Sequence, residues 1–170
     1  MLNKKICVIG LGYIGLPTAS LLANYNYQVH GVDINKKAVD IINSGKAHII
    51  EPDLDDFVKR AIKNKTLIAS TEPKCADIFI IAVPTPFHEG YVPNTDFIEN
   101  AALSIAPFIK KNNIVILEST SPVGTTEILQ KILKEAGVNI HDIHIAYCPC
   151  LLYTSPSPRD AHESRMPSSA

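Results

Sequence analysis

Gly10, Gly12 and Gly15 stand in the pattern G-x-G-x-x-G (GLGYIG), directly after the apolar run ICVI at residues 6–9, and Asp33 follows eighteen residues beyond the last glycine. Glycine in the first place permits a tight turn. In the second it lets backbone approach a diphosphate with no Cβ in the way, and in the third it lets a helix pack closely on a strand. The N-terminus of that helix offers N–H groups without intrahelical partners, so the backbone of Tyr13 and Ile14 is expected to face phosphate oxygens. A carboxylate at Asp33 can accept hydrogen bonds from the ribose hydroxyls of adenosine and would repel a 2′-phosphate. Together these residues predict a dinucleotide site that takes NAD rather than NADP. The plainer alternative is a glycine turn beside a solvated aspartate, and the strand-turn-helix-strand setting counts against it.

In an open parallel sheet, ligands lie at the carboxyl ends of strands near the switch in strand order. Two more segments qualify: VPTP at residues 83–86 and ESTSPVGTT at residues 118–126, each leaving the end of a buried apolar run. The hydroxyls of Thr85, Thr120 and Thr126 can reach a nicotinamide, a ribose or a water from there. Threonine beside proline is also ordinary loop and cap chemistry, so spacing leaves both readings open.

The elements that must position these residues follow from periodicity. Short apolar runs at 6–9, 78–83 and Ile114–Leu117 read as buried strands, with IFIIAV at 78–83 central in the sheet, and Gln28–Val32, 66–69 and 143–146 read as further strands. Residues 16–23, 35–43, the stripe Leu54, Phe57, Val58, Ala61 and Ile62, the stripe Phe97, Ile98, Ala101, Ala102 and Ile105, and residues 127–136 read as helices. Pro17 fits a first helical turn, Asp96 and Glu99 have capping-box spacing, and Gly45 and Gly137 stand where helices should stop. Alternating strand and helix predict an α/β fold, a doubly wound parallel sheet with right-handed crossovers and helices on both faces.

Composition narrows the function classes. The 170 residues are 46% hydrophobic and 19% charged, the balance of a soluble globular chain, and the net charge of −1 offers no field for nucleic acid. No apolar stretch approaches the roughly 20 residues of a membrane span, and no leader is recognisable, so a cytoplasmic location is expected. Cys7, Cys75, Cys148 and Cys150 are too scattered for a disulfide framework, and Cys148-Pro149-Cys150 lacks the two-residue spacer of common zinc pairs. These thiols are read as buried or incidental, with Cys148 assigned to core packing. His30, His48, His88, His141, His144 and His162 show no metal-pair spacing and are read as surface or satisfied loop histidines. No metal site is expected.

Six strings taken together, GLGYIGLPTA, GVDIN, HIIEPDLD, IAVPTPF, ILESTSPVGTTE and IAYCP, resemble the amino-terminal NAD domain of the UDP-glucose and GDP-mannose dehydrogenase family over residues 5–149. The resemblance implies an NAD-dependent, four-electron oxidation of a sugar C6 alcohol to a carboxylate, in two hydride transfers, through a thiohemiacetal and a thioester on a cysteine. Thiolate suits that chemistry because sulfur is nucleophilic at neutral pH. It further implies that the backbone of Tyr13 and Ile14, with Asp33, Thr85 and Thr126, contacts NAD, that Thr120 helps position a water or substrate as an auxiliary catalytic group, and that a UDP-sugar is the substrate.

The sequence departs from the family pattern after Pro149. Cys150 stands where the family has a glutamate, and the family's central helix, catalytic lysine, nucleophilic cysteine and UDP-binding domain have no counterpart in the 170 residues. Neither Cys148 nor Cys150 has the electropositive setting of a nucleophile. Residues 1–149 are therefore read as a Rossmann-type NAD-binding domain. Residues 150–170, rich in proline and serine and without an apolar period, are read as a non-homologous tail: an artefactual extension resembling a translated sequencing adapter, or a disordered linker. On this reading the chain is a truncated cofactor half, inactive alone, with homo-oligomers expected only for a full-length protein. Other UDP-sugar 6-dehydrogenases, a stand-alone NAD-binding module and a two-electron β-hydroxyacid dehydrogenase remain as alternatives.

Overall fold

The continuous apolar runs form strands covered by helices, in an order that alternates along the chain. The computed structural model describes residues 4–85 and 94–149. It contains β1 (Lys5–Ile9), α1 (Gly15–Asn24), β2 (Gln28–Val32), α2 (Lys36–Asn43), α3 (Leu54–Lys63), β3 (Leu67–Ser70), β4 (Ile78–Ile81), α4 (Asp96–Ile105), β5 (Ile114–Leu117), α5 (Thr125–Glu135) and β6 (His144–Tyr147). Single 3-10 turns follow α4 at Ala106–Phe108 and precede β6 at Ile140–Asp142. Residues 86–93, Pro86 and His88 among them, fall outside the described residues. Cys150, His162 and the rest of the 150–170 tail also lie outside them.

Every strand pairing is parallel, in the order β3-β2-β1-β4-β5-β6. The chain starts in the middle, builds outward through β2 and β3, then returns beside β1 to build the other way. The switch point is the β1–β4 junction. Alternation along the strands divides the core in two. Ile6 and Val8 of β1, Val29 of β2 and Ile80 of β4 meet Leu16, Ala19 and Ala23 of α1, Val39 and Ile42 of α2, and Val58 and Ala61 of α3. On the opposite face, Cys7, Ile9, Phe79, Ile81, Val115 and Leu117 meet Ile98, Ala102 and Ile105 of α4 with Leu129 and Leu133 of α5. Burying each such leucine, isoleucine or phenylalanine contributes about 1.5–3 kcal/mol, which fixes the sheet that carries the site.

Some local expectations shift. Asp96 does not cap α4. Thr95 occupies the cap without a side-chain bond, and Asn94 Oδ1, one step earlier, accepts from the Asp96 N–H at 2.8 Å, so Asp96 and Glu99 lie in the first turn as acids near the positive helix end. Cys148 does not pack in the core but is exposed, because β6 is an edge strand and Cys148 lies just beyond its end. His48 is not a satisfied loop histidine: its Nδ1 is buried and has no protein partner among the described residues. His30, by contrast, sets Nε2 2.8 Å from Ser70 Oγ and 3.1 Å from the Glu72 carbonyl.

Candidate functional site

The glycine bend leaves the carboxyl end of β1 at the switch point. Gly10 adopts φ +88°, a left-handed conformation that glycine reaches without strain, and its N–H donates to the Val32 carbonyl at 2.8 Å. A Cβ at Gly10 would lie 2.7 Å from the Ala82 carbonyl oxygen, and one at Gly15 would lie 1.8 Å from the Gly10 oxygen. Both glycines are thus demanded by packing. Gly12 differs: a Cβ there would meet nothing within 4 Å. No contact in the protein requires glycine there, and the space over the bend at this position is open. Tyr13 is exposed, and Ile14 caps α1 without a side-chain bond. Among the described residues no protein acceptor takes the N–H of Gly12, Tyr13 or Ile14. Unpaired donors at the positive end of a ten-residue helix suit an anion.

Asp33 follows β2 directly, beside this bend. Its Oδ2 accepts from the Leu11 N–H at 2.9 Å and its Oδ1 from the Asn35 N–H at 2.8 Å. The carboxylate is only half-buried, and each oxygen keeps a lone pair for a further donor. Leu11 itself is buried, with its methyls where a Cβ on Gly31 would come within 2.9 Å. The bend is thereby pinned to β2 and its end by the Gly10 bond to the Val32 carbonyl, the Leu11 bond to Asp33 and one apolar contact.

Beyond β4 and β5 the two predicted loops meet. Thr85 Oγ1 donates to the Thr120 carbonyl at 3.0 Å, joining residues 35 apart in sequence. Ser119 and Ser121 share a hydroxyl–hydroxyl bond, and the Tyr147 hydroxyl on β6 lies 3.3 Å from both the Ser121 N–H, from which it accepts, and the Ser121 carbonyl, to which it donates. Gly124, at φ +93°, turns the chain into α5, and Thr125 Oγ1 ties back to the Pro122 carbonyl at 2.7 Å. Thr126, the second residue of α5, stands apart. It lines a recess of about 210 Å³ between α5 and β6 with Gln130, Ile143 and Ile145, and no hydrogen bond joins it to Thr85 or Thr120 among the described residues. The structure therefore groups Gly10, Gly12, Tyr13, Ile14, Gly15 and Asp33 around the bend after β1, and separately joins Thr85 to Thr120 beyond β4 and β5.

Two residues at this edge escaped the sequence reading. Tyr147 clamps the Thr120 loop through a partner 26 residues away, which no local spacing reveals. Glu118, the first residue after β5, sends Oε1 to accept from Thr18 Oγ1 on α1 at 3.2 Å, while Oε2 is buried without a partner among the described residues. Burial pushes this carboxyl above its usual range, and the Thr18 hydrogen bond pulls it partway back. An acid ending an otherwise apolar strand, IVILE, was the available signal.

This geometry agrees with what known proteins share with the chain. The sequence profile of the UDP-glucose/GDP-mannose dehydrogenase family, NAD binding domain, matches residues 4–164. The UDP-N-acetyl-D-mannosamine dehydrogenase of Campylobacter jejuni is 54% identical over 156 residues, covering 86% of this chain and 38% of the relative. The NDP-N-acetyl-D-galactosaminuronic acid dehydrogenase of Ralstonia nicotianae is 50% identical over 155 residues, covering 86% of this chain and 37% of its own length. Among solved structures, the UDP-N-acetyl-mannosamine dehydrogenase Cap5O from Staphylococcus aureus superposes with a TM-score of 0.80 at 37% identity, covering 86% of this chain and 36% of that one. The chain thus spans less than two fifths of the length of these relatives. A profile match over nearly all its residues, on a glycine bend with an acid at the next strand's end, means that this chain belongs to the UDP-glucose/GDP-mannose dehydrogenase family, as its NAD-binding domain.

Proposed function

We propose that this chain is the NAD-binding half of a UDP-N-acetyl-D-mannosamine 6-dehydrogenase, which oxidises the sugar C6 alcohol to the uronate with two NAD and one water. The observation that carries the reading is the bend itself: two glycines locked by packing, a third opening onto free space, unpaired N–H groups behind it and a carboxylate at its lip. In this assignment the backbone at Gly10, Gly12, Tyr13, Ile14 and Gly15 cradles the diphosphate, and Asp33 accepts from the adenosine ribose. Thr85 and Thr126 reach the nicotinamide half. Thr120, held by Thr85, orients a water or the substrate there. When bound, NAD supplies the hydride acceptor; the residues here only bind, orient and exclude. The UDP-sugar contacts, the covalent chemistry and the oligomeric contacts are assigned to the rest of a longer protein, and a cytoplasmic location fits a cofactor and substrate of that compartment.

The choice of sugar rests on the UDP-N-acetyl-D-mannosamine dehydrogenases that are 54% and 53% identical to this chain over the 156 and 155 residues they share with it. Isothermal titration of the 170-residue chain with NAD and NADP tests the cofactor assignment: NAD should bind more tightly, and tighter NADP would overturn the role given to Asp33. Supplying a protein that contains this domain with UDP-N-acetylmannosamine or UDP-glucose, and following NADH absorbance, tests the sugar. Faster turnover of UDP-glucose would move the assignment to a UDP-glucose dehydrogenase.

A further inference from the structure

Glu118 occupies a position that the cofactor cradle leaves unexplained. Pairing of β5 with β4 sets Ile116 beside Ile80, both on the α1 side of the sheet, and two residues further Glu118 continues on that side. Its carboxylate therefore lies at the carboxyl edge, tied at 3.2 Å to Thr18 in the first turns of α1. Asp33 marks the opposite end of the same edge, after β2. A dinucleotide laid across this edge with its adenosine at Asp33 and its diphosphate over Gly12 must place its nicotinamide half beyond β4 and β5, where Glu118 and the Thr85–Thr120 pair stand.

A carboxylate withdrawn from water is costly unless a donor or a cation meets it. Glu118 has one donor, Thr18, and its Oε2 has none among the described residues. The nicotinamide half brings both missing features, a carboxamide with two N–H groups and, in the oxidised form only, a ring carrying one positive charge. Adenosine and ribose bring no charge of that sign. Resting on the cofactor reading above, we infer that Glu118 is the acceptor for the nicotinamide half and that its negative charge makes this site prefer oxidised NAD to NADH. Upward displacement of its carboxyl by burial is consistent with a charge that gains from a nearby cation. Such a preference suits a domain that must discharge the reduced cofactor before a second oxidised one enters.

The test is isothermal titration of the 170-residue chain and its Glu118→Gln variant with three ligands: NAD, NADH and ADP-ribose, which lacks nicotinamide. The variant should shift the NAD to NADH affinity ratio about tenfold toward NADH while leaving ADP-ribose binding unchanged, as expected for removing a unit charge at a partly buried site. Glu118→Met, which removes the charge and fills the same volume, should do likewise and serves if the amide misfolds. An unchanged ratio overturns the inference while the cofactor reading stands. Equal weakening of all three ligands also overturns it, since that marks a merely structural residue. Failure of the wild-type chain to take up any of the three defeats the cofactor reading itself, and this inference with it.

Discussion

The carboxylate of Asp33 holds the backbone N–H of Leu11 at 2.9 Å, so the residue proposed to read the adenosine ribose also fastens the bend proposed to cradle the diphosphate. Cofactor selection and loop geometry are coupled through one side chain. Asp33→Asn keeps one acceptor oxygen but loses the charge. A hydrogen bond to a charged group is worth about 1.5–3 kcal/mol. NAD affinity should therefore fall roughly tenfold or more, with NADP gaining relative to NAD. Titration with both nucleotides measures the ratio, and an unchanged ratio refutes the assignment.

Gly12 and Gly15 separate binding from folding. A Cβ at Gly15 would stand 1.8 Å from the Gly10 oxygen, so Gly15→Ala must displace backbone and should lower stability by about 1–3 kcal/mol or more. A Cβ at Gly12 meets nothing within 4 Å, so Gly12→Ala should melt within about 0.5 kcal/mol of the wild type yet lose most NAD affinity. Denaturant unfolding and NAD titration on both variants check the split. If Gly12→Ala bound NAD normally, the open side of the bend would not be the diphosphate side.

Tyr147 should act on the Thr120 loop without touching the cofactor. Its hydroxyl bonds both backbone groups of Ser121 at 3.3 Å, and Ser121 follows Thr120 directly. Tyr147→Phe deletes both bonds at a side chain 42% exposed, a loss of about 0.5–1.5 kcal/mol local to the loop. Faster amide exchange at Ser121 and its neighbours, with exchange in β1 unaltered, is the expected signature. Uniform acceleration across the sheet would show a global role instead.

How far these relationships can be read before folding depends on their range. The runs in β1, β4 and β5 are legible because strands buried on both faces need uninterrupted apolar residues, and Gly10 and Gly15 are legible because the glycine pattern marks the bend, although the Ala82 carbonyl that excludes a Cβ at Gly10 lies beyond the distant strand β4. Strand ends drifted by a residue or two, as β3 at Leu67–Ser70 and β6 at His144–Tyr147 show, since pairing partners rather than composition decide where a ladder stops. Asp96 was misread because Asn94 is an equally good acceptor two residues earlier, and only backbone geometry chooses between them. The Thr18–Glu118 and Ser121–Tyr147 pairs join residues 100 and 26 apart, and nothing in either local string announces its partner.

Stability against pH should be limited on the alkaline side by Cys7. This thiol is fully buried in β1, and burial pushes it from 9.0 up to about 11, against a weaker opposing pull from a hydrogen bond with the Lys74 backbone. Between those values the native chain keeps a proton that the unfolded chain has released, so unfolding becomes easier as pH rises through that window. A displacement of two units corresponds to about 2.7 kcal/mol at its limit. On the acid side His30 works in the opposite sense. Burial first, with the Lys74 charge, lowers it below 6.5 against the pull of the Glu72 carbonyl, so the unfolded chain takes up its proton earlier and stability declines as pH falls below that value. Urea unfolding of the wild type from pH 5 to 11 should trace both declines. Cys7→Ala should flatten the alkaline limb while His30→Gln flattens the acid one. An alkaline limb equally steep in Cys7→Ala would mean that some other group, not this thiol, carries the loss.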